Sequence, residues 1–248
     1  MIYMDFKSTF RNHDPDLEAL NLRLAGAPPA AILATAMELF APALTFACSL
    51  GLEDLVLLDL VAAMAPRPEV FTLDTGRLPE ATYATLAAVR ARYDLPIRVF
   101  FPQTEAVQAL LSAKGPNSFY ESLENRLECC RIRKVEPLGR ALAGKAAWIT
   151  GLRQQQSPGR RGLAVFEPDP GNGLVKVNPL AEWSLDQVWA YVHAHQLPFN
   201  PLQAEGYPTL GCAPCTRAIR PGEDPRAGRW WWERDGAKEC GLHRREPR

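Results

Sequence analysis

The sequence predicts an α/β protein built on a doubly wound, mostly parallel, Rossmann-like sheet, with a helical N-terminus and an irregular C-terminal tail. Three observations predict it. Short apolar runs alternate with longer helix-like segments from Leu44 to Thr150, the pattern of successive βαβ units. Polar loops containing glycine follow three of the strand-like runs, where an open parallel sheet holds its ligand. After Pro198 the periodicity stops, and Pro, Gly, Arg and Trp become frequent.

The elements follow in order. Asp14-Pro15 opens a helix through Leu17, Leu20, Leu22 and Leu24, which Pro28-Pro29 breaks, and a second helix runs from Ala30 to Phe40. Leu44 to Cys48 reads as a buried strand, Leu52 to Met64 as an apolar helix and Val70 to Leu73 as a strand. Pro79 to Tyr93 is a helix with proline in its first turn, and Ile97 to Phe101 is the next strand. Helices carry the chain past Cys129 to Leu142, and Ala146 to Thr150 is a strand. Leu163 to Phe166 and Leu174 to Val177 read as a strand pair around Gly171-Asn172-Gly173. Ser184-Leu185-Asp186-Gln187 is a capping box opening a helix to His195. The expected organisation is a helical segment over 1–40, an α/β core over 41–204 and a C-terminal segment over 205–248.

The 28 Lys and Arg residues balance the 28 Asp and Glu residues, so no bulk charge favours nucleic acid or a membrane as partner. The longest apolar stretches are far shorter than a membrane span. Met1-Ile2-Tyr3-Met4-Asp5 lacks the basic and apolar regions of a secretory signal. The expected location is therefore the cytoplasm, where thiols stay reduced and serve as ligands or nucleophiles. A homo-oligomer is expected.

Five of the six cysteines form a pattern that packing does not explain. Cys129 and Cys130 are adjacent, Cys212 and Cys215 form a C-A-P-C pair, and Cys240 stands near the C-terminus. Two pairs make a full set of four thiolates, which suits an iron–sulfur cluster or zinc. Adjacent cysteines depart from the usual zinc spacing and make strained disulfide partners. They reach a bulky four-iron cluster more easily than one small ion; zinc and unligated cysteines stay as alternatives. Cys48, in the apolar run Leu44-Thr45-Phe46-Ala47-Cys48, reads as a small buried hydrophobe. Cys240 is left over as a possible nucleophile.

Three loops could hold an anion. Ser49-Leu50-Gly51-Leu52-Glu53-Asp54 opens a helix directly after a strand and offers free N–H groups, although Ser and Gly there also serve as a plain cap. Leu73-Asp74-Thr75-Gly76-Arg77 follows the next strand and reads equally as a turn. The loop from Gly151 to Arg161 carries Arg153, Arg160 and Arg161 with amide and hydroxyl groups, suited to phosphate or sulfate. Arg226 and Arg229 precede Trp230-Trp231-Trp232, a lid or a packing cluster. His193 and His195 read as structural.

These residues together resemble the assimilatory adenylyl-sulfate (APS) reductases, the iron–sulfur branch of the phosphoadenylyl-sulfate (PAPS) reductase family. The resemblance runs from about Phe46 onward. It rests on the Ser49–Asp54 loop, Leu73-Asp74-Thr75-Gly76, Gln155-Gln156-Ser157-Pro158-Gly159, Cys129-Cys130 with Lys134, Cys212 and Cys215, Arg229-Trp230-Trp231-Trp232-Glu233, and Glu239-Cys240-Gly241-Leu242-His243. It implies a nucleotide-binding α/β fold and reduction of adenylyl sulfate to sulfite and AMP. It implies a [4Fe-4S] cluster on Cys129, Cys130, Cys212 and Cys215. Cys240 is implied as the nucleophile that forms an S-sulfocysteine, from which a thioredoxin releases sulfite. Lys134 and His243 are implied as catalytic partners, with Lys238 and Arg244 also near enough in sequence to favour the thiolate. Ser49, Gly51, Asp54, Leu73, Asp74, Thr75, Gly76, Arg153, Gln156, Ser157, Arg161, Arg226 and Arg229 are implied as substrate contacts. The chain departs from the Ser-Gly-Gly loop of ATP pyrophosphatases, because Leu50 replaces the first glycine, and from the usual Arg-Arg-Asp before Gln-Ser-Pro. The competing readings are a PAPS reductase, a tRNA-thiolating enzyme with the same loop ancestry, and a zinc-bound interaction module.

Overall fold

Alternation along the strands sorts the core into two faces. The computed structural model describes residues 15–233 and 241–242. The strands are β1 Leu44–Ala47, β2 Glu69–Leu73, β3 Ile97–Phe100, β4 Ala147–Ile149, β5 Phe166–Asp169 and β6 Leu174–Val177. They form one sheet in the order β3-β2-β1-β4-β6-β5. All neighbours are parallel except β5 against β6, and Phe46 in β1 lies between Val70 and Ile149. Successive side chains point to opposite faces. Val70, Ala147 and Ile149 therefore join one core cluster, while Phe71 and Trp148 join the other.

The larger face is covered by α2 Pro29–Phe40, α3 Leu52–Ala62, α4 Glu80–Arg92 and α8 Leu185–Ala194, with α1 Leu17–Arg23 at its margin. Asp16 caps α1 through the N–H groups of Glu18 and Ala19, at 3.1 and 3.0 Å. Leu55, Val56, Leu57, Leu58 and Val61 of α3 are all buried, as expected of a helix enclosed by neighbours. Asp59 of α3 accepts the hydroxyls of Tyr93 and Tyr191 at 2.8 and 2.9 Å, which ties α3 to α4 and α8.

The smaller face is covered by α7 Glu136–Leu142, which continues from α6 Leu123–Cys130 through a π-helical turn, Arg131–Val135. Pro137 explains the widened turn, since a regular helix would drive its ring into the carbonyl of residue 133. A further helix, α5 Thr104–Lys114, leads to α6.

One expectation is corrected. The strand that pairs with β6 is Phe166–Asp169, not Leu163 to Phe166. Leu163 and Val165 are buried in the core from a loop, and Asp169 is held in the strand by Trp148 Nε1 at 2.9 Å. The Ser184 capping box forms as expected, with Gln187 N–H to Ser184 Oγ at 3.1 Å and Ser184 N–H to Gln187 Oε1 at 2.8 Å. Among the described residues no helix is long and apolar enough to cross a membrane.

Candidate active site

The order of strands reverses between β1 and β4, and ligands in such sheets bind beyond the strand ends at that point. A cleft of about 250 Å³ opens there. Its floor is Phe71, Leu138 and Trp148; Ser49, Asp54 and Gly151 stand at one end, and Lys134, Cys212 and Arg229 also line it.

The loop after β1 is tightly built. Leu50 is buried with φ 63°, a conformation uncommon for a residue with a Cβ. Asp54, in the first turn of α3, is buried and accepts the Ser49 N–H at 2.6 Å and the Ser49 hydroxyl at 2.5 Å. Burial pushes its carboxyl up to about 7; the Ser49 and Gly151 donors pull the other way, while Glu53 adds to the rise. Gly151 is required by close approach: a Cβ there would lie 2.2 Å from Asp54 Oδ1.

The loop after β4 divides in two. Arg153 is buried and turned to the protein: it pairs with Glu53 at 2.8 Å and donates to the Trp183 carbonyl at 3.3 Å. Gln156 lines the cleft, donates to Glu53 at 3.0 Å and accepts from Arg160. Arg160 also lines the cleft, whereas Arg161 is exposed and Ser157 half-buried. The one-residue difference between Arg160 and Arg161 reflects the 3-10 turn Pro158–Arg160, which carries Arg160 back over Gln156.

After β2, Leu73 and Thr75 line the cleft. Asp74 works locally instead, accepting the Gly76 N–H at 2.8 Å and the Tyr83 hydroxyl at 3.0 Å. Gly76 is exposed, and its φ of 69° closes the turn. The Thr75 carbonyl accepts Arg133 at 2.7 Å, and Thr75 Oγ1 lies 3.2 Å from Cys212 Sγ.

The two cysteine pairs meet. Cys130, Cys212 and Cys215 are buried with Phe119 and Trp230, and Cys129 packs against them. Cys129, Cys130, Cys212 and Cys215 are all free thiols. Burial alone would push Cys212 up, but Lys134, the Thr75 hydroxyl, Arg229 and Arg133 outweigh it and hold the thiol below its ordinary value. Burial, with the neighbouring Cys212, pushes Cys215 up to about 12, and burial raises Cys129. Cations therefore favour a first thiolate, and that thiolate opposes further ones. Trp230 Nε1 and Arg133 Nε are buried donors with no hydrogen-bond partner among the described residues. Soft sulfur donors beside such groups fit a sulfur-rich anionic centre. Among the described residues no three His, Cys, Asp or Glu side chains are already set around a metal-sized point.

The chain past Cys215 is bound to this region. Arg229 and Arg226 line the cleft. Gly211 allows Arg229 in: a Cβ there would lie 2.3 Å from its guanidinium. Trp230 stacks between Arg126 and Arg229, at 4.4 and 4.7 Å, and Arg126 pairs with Glu233 at 2.8 Å. Leu242 packs on the Phe71–Trp148 cluster and lines the cleft. Cys240 and His243, with Lys238 and Arg244, lie outside the described residues.

The family model for the phosphoadenosine phosphosulfate reductase domain matches residues 43–218. The chain belongs to the phosphoadenosine phosphosulfate reductase domain family. It is 52% identical over 203 residues to adenosine 5′-phosphosulfate reductase of Allochromatium vinosum, covering 82% of this chain and 79% of that protein. It is 46% identical over 235 residues to the protein of that name in Sinorhizobium fredii, covering 95% and 93%. Among solved structures it resembles the Candida auris PAPS reductase in its phosphate complex, with TM-score 0.71 and 28% identity, covering 87% of this chain and 99% of that one. Candida glabrata FMN adenylyltransferase, at TM-score 0.54 and 16% identity over 94% and 80%, shares the fold alone.

Sequence reasoning missed Arg133, and it named Arg160, Glu53 and Leu242 only within longer motifs, without singling them out as substrate contacts. Glu53 and Arg153 attract notice only as a pair, since each looks like surface charge until the loops meet. Leu242 carried a usable signal: an isolated large apolar residue in a polar tail.

Proposed function

We propose that this protein is an adenosine 5′-phosphosulfate reductase that reduces adenylyl sulfate to sulfite and AMP in sulfate assimilation. The observation that carries the reading is the meeting of four cysteines with Lys134, Arg133 and Arg229 beside the cleft of a nucleotide-type sheet. A nucleotide lies with its apolar base over Phe71, Leu138 and Trp148 and its phosphosulfate toward Lys134, Arg226 and Arg229, which hold the charge of the leaving phosphate.

Cys129, Cys130, Cys212 and Cys215 would hold a [4Fe-4S] cluster. When bound, it supplies a fixed anionic centre whose field tunes the neighbouring cations. Lys134, which lines the cleft and acts on Cys212, would offer its cation to both that centre and the substrate. Trp230 Nε1 and Arg133 Nε would supply donors to sulfur.

Cys240 is the nucleophile. Leu242, two residues further along the same tail motif, lines the cleft. The Cys240 thiolate attacks the sulfate sulfur, the S–O bond to phosphate breaks, and AMP leaves with the electron pair. His243 and Lys238 favour the thiolate. One thiol of a thioredoxin then attacks Cys240 Sγ, taking the transferred group's place, and sulfite leaves with the electrons of the S–S bond. The second thioredoxin thiol resolves the mixed disulfide, restoring Cys240 and leaving thioredoxin oxidised by two electrons. A reduced dithiol partner suits a cytoplasmic enzyme, and a homo-oligomer is the expected form.

Wild-type protein incubated with adenylyl sulfate and no reductant should gain one sulfonate on the peptide containing Cys240, and Cys240→Ser should bind AMP yet lose turnover. A sulfonate on Cys48, or substantial activity in Cys240→Ser, overturns the mechanism. Offering adenylyl sulfate and its 3′-phosphorylated form in turn separates this reading from a PAPS reductase. A higher kcat/KM with the latter reassigns the substrate and keeps the chemistry.

A further inference from the structure

The donors at the β1–β4 end of the cleft already have an anion. Ser49 lies two residues past β1 and Gly151 two past β4, so their N–H groups flank the crevice where strand order reverses. Such positions ordinarily hold a ligand's phosphate. Here both bond to Asp54: the Ser49 N–H and hydroxyl meet Oδ2 at 2.6 and 2.5 Å, and the Gly151 N–H bonds the same carboxyl. The carboxyl lies directly against the Gly151 backbone. Gly151 passes close enough that a Cβ there would lie 2.2 Å from Asp54 Oδ1 and 2.9 Å from Glu53 Cβ. Glu53 is itself pinned by Arg153 and Gln156, at 2.8 and 3.0 Å.

We infer that Asp54 is a specificity-determining residue: its carboxyl fills the anion cradle between the ends of β1 and β4, so the cleft selects nucleotides whose charge is gathered at the Lys134–Arg229 end and rejects those placing a second phosphate at the β1–β4 end. A phosphate arriving there would find its donors taken and would face two carboxyl groups, Asp54 and Glu53, across a short distance. Specificity of this kind comes from a built-in repulsion rather than from an added contact with the right ligand. The inference rests on the adenine-nucleotide reading above and names how that site chooses among such ligands.

The test is calorimetric titration of the full chain at pH 8 with AMP, ADP and adenosine 3′,5′-bisphosphate, in wild type, Asp54→Ser and Asp54→Asn. AMP is each protein's own reference. Wild type should bind AMP at least tenfold more tightly than adenosine 3′,5′-bisphosphate, whereas ADP, whose second phosphate follows the first toward the Lys134–Arg229 end, should bind about as well as AMP. Asp54→Ser should narrow that gap tenfold or more for the isomer whose second phosphate reaches the cradle, and Asp54→Asn, which keeps the shape and removes the charge, should narrow it less. Unchanged gaps in both variants, with AMP still bound, overturn the inference and leave the nucleotide reading intact. Loss of AMP binding by both folded variants also overturns it, because an excluding residue is not needed for AMP. Failure of wild type to bind AMP sinks the nucleotide reading itself.

Discussion

At the β1–β4 end of the cleft a buried carboxyl takes the backbone donors, while around Cys212 guanidinium and ammonium groups crowd buried sulfurs. Burial acts on both ends and with opposite results. Among the described residues the largest influences on Asp54 include hydrogen-bond donors but no cation, so desolvation prevails and the carboxyl is pushed up to about 7. Cys212 is as deeply buried, yet Lys134, Arg229 and Arg133 reverse the effect. The difference teaches that the cleft has a polarity. A ligand with one apolar end and one anionic end has a single favourable orientation, set by charges that the fold holds in place before the ligand arrives.

The strongest way to break this contrast is to release the chain that carries Arg229. Glu233→Ala leaves Arg126, 1% exposed, without its carboxylate partner, and unpairing a buried charge costs about 3–5 kcal/mol. Urea denaturation should show that loss; a cost under about 1 kcal/mol would mean that the ion pair does not anchor the segment. Next in size is Lys134→Met, which keeps the packing and removes the cation. Turnover of adenylyl sulfate should fall by about 10²- to 10³-fold, the range for a lost group that stabilises developing charge. More than a tenth of wild-type activity would show that the other cations suffice.

The carboxyl end gives a smaller and pH-dependent effect. The folded-state value of Asp54, about 7, lies above the ordinary carboxylate value. Its contribution to stability is therefore fully present below about pH 4 and is lost as pH rises to about 7. The full shift bounds the loss at about 4 kcal/mol, and partial hydration in the cleft brings the expected figure to about 2 kcal/mol. Asp54→Asn should remove this slope from a plot of unfolding free energy against pH; an unchanged slope would mean the carboxyl is ionised throughout. The smallest effect sharpens the comparison by leaving the cleft alone. Asp59→Asn weakens the tyrosine bonds that join α3 to α4 and α8 and should cost about 1 kcal/mol, with KM and kcat unchanged.

Much of this was legible because it rests on local chemistry. The parallel strands announce themselves as short apolar runs, and the Ser184–Gln187 box needs only its own four residues. The convergence of Cys129 and Cys130 with Cys212 and Cys215 was legible in composition but not in geometry, since the π-helical turn that follows the first pair depends on Pro137. Other features depend on partners distant in sequence. The true start of β5 at Phe166 follows from Asn21, whose side chain bonds both the N–H and the carbonyl of Phe166 at 2.8 Å, and not from the apolar pattern, which favours Leu163. The inward turn of Arg153 follows from Glu53, one hundred residues earlier. No window of sequence contains both halves of such a pair.

The order in which the sulfurs appear along the chain has a consequence for biosynthesis. A ribosome delivers Cys129 and Cys130 on α6, and then the strands through β6, before Cys212, Cys215 and Trp230 emerge. Chains begin to fold from the N-terminal side during synthesis. The nascent protein therefore carries half a sulfur pocket, without the Trp230 ring, the Arg229 guanidinium and the Arg126–Glu233 clasp that later close it. Whatever these four thiols hold gains its full enclosure only once the segment from Arg229 to Glu233 has packed against Arg126.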